Sequence, residues 1–171
     1  MWVLHPIFVH FPIALLTLYA VLELASLHPK LKSNKTMFYI KLTLLFAGTL
    51  GTFAAIITWW YAEDIAWRTN LIRTHENFAE MTRNIFIVLS IVYIAKLYVY
   101  EKHTTYARVL PPFLQSILAW ISKYAIMLFA PQILAVVGLF LVTVTGALWW
   151  AIVYGKTADP IVKRAVSTFV K

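Results

Sequence analysis

The chain contains no cysteine and few charged residues, and both shortages restrict what the protein can be. Of its 171 residues only 13% are charged, while 61% are hydrophobic; soluble domains have about 25% charged and about 45–50% apolar residues. A soluble domain of this length could not bury so much apolar surface, so we predict an integral membrane protein. Without cysteine, the chain can form no disulfide, thiolate zinc site, iron–sulfur site or covalent haem link.

Acidic residues are also scarce. The chain has 15 lysines and arginines but only 7 aspartates and glutamates, which gives a net charge of +8. The basic residues stand in short loops between apolar runs, a pattern that fits lipid headgroups and topology signals and does not indicate nucleic acid binding. The sequence shows no hydrolase, kinase or nucleotide signature. We therefore predict no catalytic residues, and a protein that is not an enzyme on its own.

Long apolar runs predict one all-α membrane domain over residues 1–171, built as a four-helix bundle. The four spans are predicted at about 6–27, 37–61, 85–100 and 132–154. Residues 113–130 gather their polar side chains on one side, which predicts an additional amphipathic helix in the membrane interface. The alternative is five spanning helices, in which 113–130 also crosses the bilayer at the cost of burying Lys123 near its centre.

The second run has two features that bear on packing. Ala47, Gly51 and Ala55 recur every four residues, and such a stripe of small residues lets a neighbouring helix approach closely. Lys41 lies near the start of the run, where we expect its long side chain to snorkel towards the headgroups.

The distribution of lysines predicts the orientation. No basic residue precedes the first run, while Lys30, Lys32 and Lys35 follow it, so we expect the N-terminus on the non-cytoplasmic side. The basic C-terminal tail argues against this orientation with four spans and for it with five.

Three of the five histidines, His5, His10 and His75, fall on the N-terminal face of the predicted bundle. Haem b requires neutral imidazoles as axial ligands, an apolar aromatic slot and cations near its propionates. His10 lies about 7–8 Å along the helix from His5 at ~1.5 Å per residue, so we expect it to lie below the headgroups and face the bundle interior. The pattern predicts His10 and His75 as axial ligands of a haem b iron.

The same face holds the other groups that such a site needs. Arg68, Arg73 and Arg83 are the candidate partners of the propionates, and Trp59 and Trp60 are candidates for the ring slot.

His5 stands five residues before His10, which is about 140° around a helix at ~100° per residue. The two rings therefore cannot bind one iron from a straight helix. We expect His5 to cap the helix, to ligate a second haem, or to hydrogen-bond a propionate or a quinone.

Each of these candidates also has a plainer explanation. His10 could be a buried, hydrogen-bonded histidine, His75 a solvated loop residue and His5 an ordinary helix-start residue. The tryptophans could form an interface belt, and the arginines a solvated, salt-bridged surface.

The opening, residues 5–13, reads His-Pro-Ile-Phe-Val-His-Phe-Pro-Ile. It resembles the start of an uncharacterised family of small prokaryotic four-helix membrane proteins, a domain of unknown function. His75 matches a later family histidine by placement, and Gly48 and Gly51 resemble the family's small-residue second helix. Some members are fused to Rieske or c-type cytochrome domains. The resemblance implies a multi-pass protein of the prokaryotic cytoplasmic (inner) membrane, a haem b role for the histidines, and electron-transfer partners on the N-terminal face.

Three functional hypotheses follow. The first is a haem b-binding, cytochrome b-like membrane subunit that relays electrons in a respiratory or other electron-transfer complex, with a quinone as a further cofactor candidate. The second is a cofactor-free membrane anchor or accessory subunit of a larger complex. The third and weakest is a small transporter or channel, in which Glu23 is the main charge within a span.

Overall fold

The computed structural model of the chain describes residues 4–32, 34–63, 69–101, 109–127, 129–155 and 159–170. Every regular element in these ranges is an α-helix. In chain order the helices are α1 (Leu4–Ala25), α2 (Pro29–Lys32), α3 (Lys35–Glu63), α4 (Asn70–Glu101), α5 (Pro112–Met127), α6 (Ala130–Tyr154) and α7 (Pro160–Phe169).

Four of these helices, α1, α3, α4 and α6, are long and apolar enough to cross a bilayer. Large apolar side chains such as Leu50, Phe53 and Phe140 are exposed on their outer faces, as lipid contact requires. The predicted all-α bundle with four candidate spans is confirmed, and the chain is a multi-pass membrane protein. Helix α5 has 16 residues, fewer than the about 20 that a span needs, which favours the interfacial helix over a fifth span.

Helix α4 begins before the predicted third span. The prediction placed its start at residue 85, whereas α4 begins at Asn70. The predicted span covers only the apolar part of α4, and the polar first turns of α4 contact α7. Phe78 of α4 contacts Phe169 of α7 with ring centroids 5.1 Å apart, and Leu71 lies in the same apolar cluster. The basic tail, for which the sequence predicted no helix, forms α7.

Small residues set the contact between α1 and α3, as the stripe predicted. A Cβ atom on Gly48 would lie 2.6 Å from Leu16 Cδ2, and one on Gly51 would lie 3.2 Å from Pro12 Cβ. Because neither glycine carries a side chain, the backbone of α3 can approach α1 closely.

The four spans bring two groups of polar residues to opposite ends of the bundle. The start of α1, the end of α3, the start of α4 and the end of α6 meet at one end, where His5 contacts Trp59 and His75 contacts Trp149. We call this the histidine end. At the other end, Glu23 of α1 contacts Lys41 of α3, and we call this the lysine end.

Candidate functional site

A cavity of about 340 Å³ lies at the histidine end and is lined by residues from all four spans. His5 and His75 are among its lining residues, together with Pro12, Leu16 and Val142. The packing between α3 and α4 is sparser than between the other adjacent spans, and both helices contribute several residues to the cavity wall. The cavity therefore combines apolar surface with two imidazoles.

His5 is buried, with 5% of its surface exposed. Its Nδ1 lies 3.1 Å from the carbonyl oxygen of Ala55 and 3.0 Å from Thr58 Oγ1. The Thr58 hydroxyl itself donates to the Ala55 carbonyl, so Nδ1 must carry the proton and donate. Nε2 is then an acceptor, and it is buried without a hydrogen bond in the described part of the chain. Burial lowers the pKa of His5 below its usual value, which keeps the ring neutral.

His75 is held in the same manner from α4. It is 5% exposed, and its Nδ1 lies 3.1 Å from the carbonyl oxygen of Thr145. A carbonyl can only accept, so the neutral ring donates from Nδ1 and leaves a lone pair on Nε2. The Thr145 hydroxyl lies 3.2 Å from the Thr82 hydroxyl, which joins α6 to α4 beside the ring.

Two tryptophans complete a cluster of four rings with these histidines. The ring of His5 is centred 5.2 Å from both Trp59 and Trp149. His75 is centred 6.2 Å from Trp59 and 5.7 Å from Trp149. Trp59 Nε1 donates to Glu76 Oε1 at 2.9 Å, which fixes its indole between α3 and α4. Each histidine therefore contacts the same pair of indoles.

The predicted neighbours of the site are distributed unevenly. Trp59, Trp60 and Arg83 line the cavity, although Trp60 is also 65% exposed. Arg73 is exposed and is not among the lining residues. Arg68 lies outside the described residues.

The prediction that His10 faces the bundle interior is wrong. His10 is exposed on α1 and is not among the residues that line the cavity. The physical reason is helical geometry, since about 140° separates it from His5 and only one of the two can point inward. The structure brings His5 next to the tryptophans that contact His75, in the position that the sequence assigned to His10.

Three contributors to the site were missed. Trp149 was not among the tryptophans predicted to line the ring slot, and Thr145 and Glu76 were not among the predicted site residues. Trp149 and Thr145 are four residues apart and share a helix face, which could have indicated one polar, aromatic side of α6. Nothing in the sequence indicates that Thr145 would offer its backbone carbonyl to a histidine 70 positions away.

The lysine end contains a second polar cluster, and it also requires a correction. Lys41 is buried and does not snorkel as predicted, because its Nζ lies 2.8 Å from Glu23 Oε2. The Tyr93 hydroxyl donates to the same oxygen, and Gln132 Nε2 donates to Glu23 Oε1 at 2.8 Å. Each of the four spans thus supplies one member of a buried network around the Glu23 carboxylate.

Within the described ranges, no group of three or more histidine or acidic side chains could hold a bare metal ion. Comparison of the chain with family models, with curated proteins and with solved structures finds no match.

Proposed function

We propose that the chain is a haem b-binding membrane subunit that passes electrons within a respiratory or other electron-transfer complex. The observation that carries this proposal is the buried Nε2 of His5, which makes no hydrogen bond in the described part of the chain. A buried acceptor without a partner is costly unless something else binds it. A metal held by haem would supply that partner.

The donor set fits a haem. Histidines that bind metals usually donate their other ring nitrogen to a carbonyl or carboxylate, which fixes the tautomer and orientation. His5 and His75 both donate Nδ1 to a backbone carbonyl, so each would bind iron through Nε2. Haem supplies a one-electron redox couple when bound, and its potential depends on its axial ligands and on burial.

Residues beside the two histidines would control the environment of the haem. Trp59, which lines the cavity, and Trp149, which contacts both histidine rings, would exclude water from the ligating nitrogens. Arg83 is the candidate cation for a propionate, because it is the one arginine among the described lining residues. The resemblance of residues 5–13 to a family with Rieske and cytochrome fusions supports a redox partner on the N-terminal face and a prokaryotic cytoplasmic membrane.

The test is a set of reduced-minus-oxidised visible spectra of protein purified in mild detergent after haem-replete expression. We expect a b-type spectrum from the wild type, and its loss in both His5→Ala and His75→Ala. His10→Ala is the matched control, because His10 lies on the same helix but outside the cavity, and it should retain the spectrum.

Absence of the spectrum in folded, haem-replete wild-type protein would overturn the proposal. The cofactor-free accessory subunit would then become the better hypothesis. One observation favours it: Phe113, Ile117 and Trp120 form an exposed strip along α5, which a neighbouring subunit could cover. Co-purified proteins that depend on this strip and not on His5 would identify that role.

A further inference from the structure

Helix α7 packs against the outside of the four spans and has no part in the proposed electron transfer. Its outer side carries two adjacent cations, Lys163 and Arg164, and both are exposed. We propose that these two residues bind the phosphate group of an anionic phospholipid at the histidine end of the bundle.

The first argument is the depth of α7 in the bilayer. The helix runs back along α6, because it begins shortly after α6 ends and its Phe169 contacts Phe140 with ring centroids 6.4 Å apart. Phe140 lies about 15 Å from the start of α6 and about 21 Å from its end at ~1.5 Å per residue. Since α6 is a candidate span, the last turn of α7 lies at the depth of the hydrocarbon core, which is about 30 Å thick.

The two cations lie nearer the membrane surface than Phe169 does. Lys163 and Arg164 directly follow Val162, which belongs to the same apolar cluster as Ala151 of α6. Trp150, the neighbour of Ala151, is exposed, as is typical of a tryptophan at the membrane interface. The long side chains of lysine and arginine can extend their charged groups from this depth to the level of the phosphates.

The deeper polar side chains of α7 have their partners within the helix. Ser167 Oγ and Thr168 Oγ1 donate to the carbonyl oxygen of Arg164 at 2.9 and 2.8 Å, as polar groups within hydrocarbon require. The two cations differ from these hydroxyls. The ion pairs within the described residues involve only Lys35 and Lys41, so neither cation of α7 has an acidic partner there.

Charge complementarity selects the ligand. Helix α7 contains no acidic residue, and Asp159 before it caps the helix by accepting from the Ile161 N–H at 2.7 Å. Ammonium and guanidinium groups bind phosphate oxygens through charge-assisted hydrogen bonds, and basic amphipathic helices attract anionic lipids. A second copy docked symmetrically on this face would bring like charges together. A headgroup with net negative charge therefore fits α7 better than another copy of the chain.

The lipid site lies behind the segment that carries His75. The inner side of α7 packs against Leu71 and Phe78 of α4, on either side of His75 in the chain. The proposal goes beyond the proposed function and does not depend on haem, so the two can be tested separately.

The experiment uses the full chain in phosphatidylcholine vesicles that contain a minority of phosphatidylglycerol. The chain has no cysteine, so Ile161→Cys on the exposed side of α7 provides one site for a fluorophore. Quenching by brominated phosphatidylglycerol and, separately, by brominated phosphatidylcholine measures which lipid lies beside α7. We expect the ratio of phosphatidylglycerol to phosphatidylcholine there to exceed the bulk ratio at least about fivefold, because each basic residue near an anionic surface contributes about that factor.

Two double variants of the labelled chain locate the source of this enrichment. Lys163→Gln with Arg164→Gln should return the lipid ratio beside α7 to the bulk value. Lys30→Gln with Lys123→Gln is the matched control, because it removes the same charge from two exposed lysines outside α7, and it should keep the enrichment.

Three results would overturn the proposal. The first is a lipid ratio equal to the bulk ratio in the labelled chain with both cations present, and the second is enrichment that persists in Lys163→Gln with Arg164→Gln. The third is the absence of quenching by either brominated lipid, which would mean that another protein surface covers α7. Enrichment that depends on the two cations in protein without a haem spectrum would support the lipid site while overturning the proposed function.

Discussion

The two ends of the bundle bury polar groups in opposite ways. At the histidine end, two neutral rings each use one nitrogen on a backbone carbonyl, and the second nitrogen of His5 has no hydrogen bond in the described ranges. At the lysine end, a carboxylate and an ammonium neutralise each other, and Tyr93 and Gln132 also donate to the carboxylate, one to each oxygen.

The difference indicates that one end can bind a ligand, whereas the other end holds the helices together. A network in which both carboxylate oxygens are used joins four helices and leaves little capacity for a ligand other than a proton. An acceptor nitrogen beside a cavity leaves capacity for a ligand and adds little to stability. Substitutions at the two ends should therefore have different consequences, and three changes test this contrast.

The largest expected effect is at the lysine end. Glu23→Ala leaves the buried ammonium of Lys41 without its counter-charge, and we expect a loss of about 3–5 kcal/mol in the free energy of unfolding. The measurement is unfolding in mixed detergent micelles followed by circular dichroism.

The double variant Glu23→Leu with Lys41→Met is the control, since it removes both charges and keeps the apolar volume. It should recover most of the loss. A double variant as unstable as Glu23→Ala would mean that the charge pair is not the source of the effect.

A smaller effect on the free energy of unfolding is expected in the packed region between the two ends. Gly138 of α6 faces Phe86 of α4, and a Cβ atom there would lie 2.8 Å from Phe86 Cζ. Phe86 is fully buried against Tyr19, so Gly138→Ala should cost about 1–3 kcal/mol through overpacking.

Gly146→Ala is the matched control on the same helix, because nothing lies within 4 Å of its added Cβ. It should be neutral, or stabilising by about 0.5–1 kcal/mol through lower backbone entropy in the unfolded state. Equal destabilisation by both changes would contradict close packing at Phe86.

The smallest effect on stability is expected at the histidine end. His5→Phe removes an unpartnered nitrogen and one donor while keeping an aromatic ring beside Trp59 and Trp149. In protein without cofactor we expect a change within about 1 kcal/mol, measured by the same unfolding assay. A loss as large as that of Glu23→Ala would show that His5 is chiefly structural and would weaken the contrast between the two ends.

Much of the fold could be predicted because length and hydrophobicity alone limit a bilayer-spanning chain. The four apolar runs became α1, α3, α4 and α6, and the spacing of Gly51 correctly indicated close packing. Hydropathy placed the third span at 85–100 and did not mark the polar first turns of α4, which begins at Asn70 and contacts α7, a helix from the far end of the chain. The pairing of Lys41 with Glu23 was also missed, since it joins separate helices.

The sequence by itself determined that this is an all-α membrane bundle, and it correctly placed His5, His75 and Trp59 at one end of it. Only the tertiary structure decided that His5 turns inward and His10 outward. In a soluble helix the polar face would indicate that rotation, but lipid accepts apolar side chains as readily as the bundle interior does. The rotation of α1 is therefore set by its contacts with α3 and α6, namely Gly48 against Leu16 and the indole of Trp149 against His5.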